Sequence, residues 1–101
     1  MSGQNTVDKL ALGIREHNAG NLQAAEAHYR DILVSDAQHP DALHLLGVVL
    51  HQYNRNQEAV DFILRAIELN PESADAYNNL GNALDSQGKP NEAVASYKAA
   101  Q

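Results

Sequence analysis

Histidine is the residue type in this sequence best suited to metal or acid–base chemistry, and the chain has five of them. His44 and His51 are seven residues apart, which would place them on one helix face about 10 Å from each other. Helical pairs that bind one metal ion sit three or four residues apart. The spacing therefore argues against a metal site formed by these two side chains alone.

A second set of polar residues recurs at a wider spacing. His17, His51 and Asp85 are 34 residues apart, so a repeated structure would align them in a row along one surface. Three interpretations of this row are open: solvated polar residues, a surface that contacts a ligand, and a metal site.

The common catalytic motifs are absent from the sequence. The chain has no cysteine, which excludes disulfides, zinc–thiolate sites and thiol nucleophiles. It has no glycine-rich phosphate loop and neither the HExxH nor the GxSxG pattern. We therefore predict a protein that is not an enzyme, with no catalytic residue, no cofactor and no metal.

Charge and hydropathy narrow the range of partners. Thirteen acidic and seven basic residues give a net charge of −6, which argues against a nucleic acid and against an anionic membrane surface. The acidic balance is compatible with a neutral or basic peptide partner, and also simply with solubility. No apolar run is long enough for a membrane span or a secretory signal. We expect a cytoplasmic protein.

The elements that would position the polar residues repeat every 34 residues. The dipeptide Leu-Gly occurs at this spacing, at 12–13, 46–47 and 80–81. Three alanines of the segments that follow keep the same spacing, at Ala25, Ala59 and Ala93. Several landmarks in one register are strong evidence for an internal repeat.

Within each unit the apolar residues follow a helical period. In the middle unit Leu43, Leu46 and Leu50 lie at the spacing of one helix face. Pro40 and Pro71 flank the two apolar stretches of that unit, since proline does not fit a helix interior. We predict three antiparallel helix pairs, with helices near 7–19, 22–36, 41–53, 56–69, 74–87 and 90–100.

The period and these residue types resemble the tetratricopeptide repeat (TPR), a helix–turn–helix unit of 34 residues. The middle and third units fit its pattern well, whereas Lys9 and Glu16 stand in the first unit where large apolar residues belong. The resemblance implies an all-α fold, a right-handed superhelical solenoid. Its repeats would span 6–39, 40–73 and 74–101, with the last repeat incomplete, after a flexible N-terminus at 1–5.

In this family the first helix of each repeat lines a concave surface that contacts peptide. An asparagine side chain there can hold the backbone of an extended peptide, because it both donates and accepts hydrogen bonds. We predict a non-catalytic module that binds a protein or peptide in this groove. The residues that the resemblance places there are His44, Val48, His51, Gln52, Asn78, Asn79, Asn82 and Asp85.

Residues 74–100 resemble the repeats that precede the catalytic region of O-linked N-acetylglucosamine transferases and similar bacterial proteins. In those arrays an asparagine just before Leu-Gly holds the substrate backbone. Asn79 stands at that position, and the equivalent Leu45 and Ala11 leave one such asparagine at most. The resemblance supports an alternative, in which the chain is the N-terminal substrate-targeting segment of a larger glycosyltransferase-type enzyme.

Both ends of the predicted array carry apolar residues that no further repeat covers. Such faces mark interaction sites, so a second alternative is a self-assembling scaffold that dimerises through its C-terminal end. A longer native chain would instead cover that end, and a rotated first helix would bury its own apolar residues. The residues concerned are Val7, Leu10 and Ile14 in the first helix, and Val94, Tyr97 and Ala100 in the last.

Overall fold

A computed structural model describes the backbone of residues 2–101 and the side chains of residues 8–101. This part of the chain is all-helical and contains no strand. The predicted all-α fold is confirmed, and only the first helix begins clearly earlier than the sequence pattern predicts. The helices are α1 (Ser2–Asn18), α2 (Leu22–Ser35), α3 (Pro40–Gln52), α4 (Asn56–Leu69), α5 (Ala74–Ser86) and α6 (Pro90–Ala99).

The helices form a solenoid in which each one packs on its neighbours in sequence. α3 also contacts α5, so the first helices of successive repeats lie side by side. The molecule measures 44 × 25 × 19 Å, the elongated shape of a short stack. Among the described residues, no helix combines the length and apolar character that crossing a bilayer requires.

A glycine on each first helix lets the second helix of the repeat approach closely. A Cβ atom added to Gly47 would lie 2.5 Å from Cγ1 of Ile63 and 3.1 Å from the carbonyl oxygen of Ala59. Ile63 and Ala59 are both fully buried. The same contact recurs in the other repeats, between Gly13 and Tyr29 and between Gly81 and Tyr97.

The turn inside each repeat uses one residue in the left-handed backbone region. Gly20, Asn54 and Gly88 hold this register position, with φ angles of 86°, 63° and 76°. In the middle repeat the N–H of Asn54 donates to the carbonyl of His51, and that of Arg55 donates to Leu50, both at 2.9 Å. These two bonds close the C-terminus of α3 and reverse the chain direction, which makes the two helices antiparallel.

Replacing Gly47 with leucine should strongly destabilise the protein. The added side chain has no space against Ile63 and Ala59, and overpacking of this kind costs about 1–3 kcal/mol or more. Each kcal/mol lowers the melting temperature of a domain of this size by roughly 4–8 °C. Thermal melting followed by circular dichroism measures the effect, with Ala27→Leu at an exposed helical position as control. A Gly47→Leu protein that melts together with the control would contradict the observed packing.

Candidate partner-binding surface along the first helices

The residues predicted for the groove lie on two adjacent first helices. α3 supplies His44, Val48, His51 and Gln52, and α5 supplies Asn78, Asn79, Asn82 and Asp85. Their side chains differ in how far they are exposed to solvent. On α5 only Asn79 is half-buried and the others are exposed, whereas on α3 only Gln52 is exposed.

Histidines connect each first helix to the next one. His17 Nε2 of α1 donates to Gln52 Oε1 of α3 at 2.5 Å. His51 Nε2 of α3 lies 2.8 Å from Ser86 Oγ of α5. Each pair is separated by 35 residues, one repeat plus one residue, so the two bonds are equivalent by register. These side chains therefore contribute to the cohesion of the solenoid as well as to its surface.

The hydrogen bond between His17 and Gln52 is linked to the protein interior by a second bond, between His17 and Tyr29. The fully buried Tyr29 places its hydroxyl 3.2 Å from His17 Nδ1, with the two rings in an edge-on arrangement. Burial raises the pKa of Tyr29 to about 12, so the phenol keeps its proton at neutral pH. It donates to Nδ1, and the opposite imidazole nitrogen donates to Gln52.

A third bond between first helices involves two of the predicted groove residues. Asn79 Nδ2 donates to His44 Nε2 at 2.8 Å, which requires a neutral imidazole. Burial lowers the pKa of His44, and the nearby carboxylates of Asp75 and Asp41 oppose this shift. One repeat earlier, Leu10 and Leu45 hold the equivalent register positions.

The remaining predicted residues are more accessible to a partner. The exposed Asn78 and Asp85 make no side-chain hydrogen bond among the described residues. Asn82 is also exposed but accepts a hydrogen bond of 2.8 Å from the Tyr97 hydroxyl of α6. Ser86 is not among the residues predicted for the groove, although its separation of 35 residues from His51 is visible in the sequence.

The charge of this surface is acidic. α3 and α5 contain no lysine or arginine. They carry Asp41 and Asp75, each in the first turn of its helix, and Asp85 near the end of α5. No group of three potential metal ligands forms among the residues that the structure describes. The surface can therefore offer amides, hydroxyls and carboxylates to a partner.

The residues predicted for self-association differ in how far they are buried in the chain itself. Tyr97 is half-buried, packs on Gly81 and donates to Asn82, so it belongs to the third repeat's own core. Leu10 and Ala100 are also half-buried, whereas Ile14 is 37% exposed and Val94 49% exposed. The side chain of Val7 lies outside the described residues.

Comparison with known families identifies the fold. Two profiles of the tetratricopeptide repeat family match the chain, one over residues 10–74 and one over residues 62–95. The first match alone covers more than half of the sequence. The chain belongs to the tetratricopeptide repeat family.

Two relatives show how this repeat is used in longer proteins. The chain is 30% identical over 78 residues to the UDP-N-acetylglucosamine–peptide N-acetylglucosaminyltransferase of Caenorhabditis elegans, a match covering 77% of this chain and 7% of the enzyme. It is 29% identical over 76 residues to human tetratricopeptide repeat protein 7B, a match covering 75% of this chain and 9% of that protein. The chain thus spans less than a tenth of the length of either relative.

Solved structures share the same backbone. A mutant O-GlcNAc transferase of Thermobaculum terrenum superimposes with a TM-score of 0.96 at 26% identity, over 97% of this chain and 19% of the enzyme. MamA superimposes with a TM-score of 0.89 at 31% identity, over 95% of this chain and 56% of MamA. The second TPR domain of Spaghetti, bound to an HSP90 peptide, gives a TM-score of 0.89 at 20% identity, over 96% and 90% of the two chains.

The burial of His44 should make the stability of the protein depend on pH. Because burial lowers the pKa of folded His44 below its ordinary 6.5, the unfolded chain binds the proton more readily. The free energy of unfolding should therefore decrease as the pH falls through 6.5, until the folded imidazole is protonated as well. Urea titrations at a series of pH values between about 7 and 5 measure this slope.

The matched control replaces both partners by the residues found one repeat earlier. The double variant His44→Leu/Asn79→Leu copies Leu10 and Leu45, and should unfold with a flatter pH dependence. Asn79→Leu alone leaves an imidazole nitrogen unpaired and should cost about 1 kcal/mol at neutral pH. A double variant with the slope of the wild type would show that His44 does not titrate as described.

Proposed function

We propose that this chain is a non-catalytic interaction module that binds an extended, neutral or basic peptide segment along α3 and α5. One observation carries the proposal: these helices expose amides and carboxylates and contain no lysine or arginine. Exposed amides bind a peptide backbone without requiring a particular sequence. The aspartates favour lysine or arginine in the partner.

The charge of the surface distinguishes this chain from one structural neighbour. The peptide bound to the Spaghetti domain reads SRMEEVD and carries three acidic residues. Binding such a segment along α3 and α5 would bring carboxylates close to Asp75 and Asp85 with no lysine or arginine on either helix to pair with them. Like charges in close contact across an interface cost several kcal/mol. The shared fold therefore does not imply that α3 and α5 of this chain bind the same kind of peptide.

Selection from a random heptapeptide library tests the proposal. Selected peptides that bind along α3 and α5, recognised by shifts of the backbone amide signals of Asn78 and Asp85, should be enriched in lysine and arginine and depleted in aspartate and glutamate. Asn78→Ala/Asp85→Asn should weaken their binding about tenfold or more, because a charge-assisted hydrogen bond contributes about 1.5–3 kcal/mol. The control Asn91→Ala/Glu92→Gln makes the same kind of change at exposed positions of α6. Acidic peptides that shift the amide signals of Asn78 and Asp85, or equal affinity of both double variants, would contradict the proposal.

The transferase relatives support a second candidate function. Two of the similar proteins are N-acetylglucosaminyltransferases that contain a segment like this chain. As part of such an enzyme, the surface of α3 and α5 would hold a protein substrate, and Asn79 would not contact it freely because it is bonded to His44. Serine or threonine recurring at one fixed position of the selected peptides would favour this candidate over a general scaffold.

Self-association through the C-terminal end is a further proposal, supported by the exposure of Val94 and Ile14. The chain should pass from monomer to dimer as its concentration rises from micromolar towards millimolar. Val94→Glu should prevent this, because it places a charge in the contact. Ala27→Glu, at an exposed position of α2, is the control. Sedimentation equilibrium decides, and a wild-type chain that stays monomeric throughout would contradict the proposal.

A further inference from the structure

The outer groove between α2 and α4 holds two arginines around one aromatic ring. The guanidinium carbon of Arg30 lies 5.8 Å from the ring centre of Phe62, and that of Arg65 lies 5.2 Å from it. Both distances fall in the range of cation–π attraction. The ring and the arginines line a cavity of about 340 Å³, together with Leu33, Val34 and Ala37. We call this cavity the outer site.

The architecture of the repeat does not by itself require the side chains of the outer site. One repeat later, the positions of Arg30, Phe62 and Arg65 are held by Leu64, Ser96 and Ala99. The junction between α4 and α6 therefore packs without an arginine or an aromatic ring at these positions. Because the two junctions share one backbone architecture, the solenoid itself does not require the three side chains of the outer site.

The outer site has positive charge available for an anion. Arg30 is paired with Glu26 through a bond of 2.8 Å. Arg65 forms no ion pair with any described carboxylate, and its one hydrogen bond runs to the carbonyl of Ala37 at 3.4 Å. The two guanidinium groups flank the same ring, so their mutual repulsion decreases when an anion binds between them.

The wall beside the arginines is apolar. Val34 is 85% exposed, the largest exposed fraction among the large apolar side chains of the described residues. Leu33, its neighbour in the sequence, is half-buried in the same cavity. An apolar wall with a few convergent charged groups is the usual composition of a binding pocket. Here the apolar wall would take an aliphatic side chain, and the guanidinium groups would take a carboxylate next to it.

We propose that the outer site binds an acidic segment of a protein partner, in which aliphatic residues alternate with glutamate or aspartate. A bound segment of this kind would place a carboxylate at Arg30 and Arg65 and an aliphatic side chain next to it on Val34. The site lies on the second helices, away from the surface of α3 and α5, and prefers the opposite charge. The protein thus has two docking surfaces with different partners.

Nuclear magnetic resonance titration of the ¹⁵N-labelled chain tests this proposal with acetyl-Glu-Leu-Glu-Leu-Glu-amide. Both ends of this probe are blocked, so only side-chain carboxylates can bind. The backbone amide signals of Val34, Phe62 and Arg65 should shift and saturate, and rising salt should weaken the binding. A matched probe with glutamine in place of glutamate, and another with alanine in place of leucine, should each bind at least about tenfold more weakly.

Two variants make the assignment specific. Arg65→Gln should weaken binding about tenfold or more, whereas Lys98→Gln, the same change of charge on α6, should leave it unchanged. Val34→Glu removes the apolar wall at a highly exposed position that the fold does not need, and should abolish binding. Melting curves of each variant confirm that the fold is retained.

Several results would overturn the proposal. They are the absence of saturable shifts at Val34, Phe62 and Arg65, equal binding of the glutamine probe, and equal binding by Val34→Glu. Saturable shifts confined to α3 and α5 would place acidic segments on the other surface, and would overturn it as well. Loss of binding in Asn78→Ala/Asp85→Asn would also contradict the proposal, because the outer site does not include those residues.

Discussion

The structure depends on the close approach of the two helices within each repeat. That approach requires a residue without a side chain at Gly13, Gly47 and Gly81, since a Cβ atom there would collide with the large residue opposite. Because Tyr29, Ile63 and Tyr97 fill the space that glycine leaves, the pairs have one geometry along the chain. The equivalent hydrogen bonds between first helices are possible only because this geometry repeats.

The polar residues of the first helices serve two purposes that compete for the same atoms. His17 and His51 each bridge to the next repeat, and His44 is bonded to Asn79. A side chain held in this way has less hydrogen-bonding capacity left for a partner. The residues that remain accessible lie mainly on α5, so under the proposed function the third repeat would contribute more to recognition than the second. A partner that displaced the histidine bonds would also loosen the stack.

The sequence predicted the fold well because the information that determines it is local and repeated. The spacing of Leu-Gly and of the small residues defines the helix pairs, and the glycine at 47 lies where the two helices of its pair approach closely. The depth of His44 and the bonds that cross between repeats were not predicted, because they depend on how far each helix rotates about its axis against the next. The outer site was not predicted for the same reason, since Arg30 and Phe62 meet only across two repeats.

The side chains in the row of His17, His51 and Asp85 differ in whether they can donate or accept hydrogen bonds. His17 donates to the following helix, and an imidazole at position 51 can donate or accept. Asp85 differs from the two histidines, because an ionised carboxylate can only accept hydrogen bonds. A helix that packed next on α5, from the same chain or another, could pair with Asp85 only by presenting a donor at this place. The third repeat thus offers an acceptor at the register position where the first repeat offers a donor.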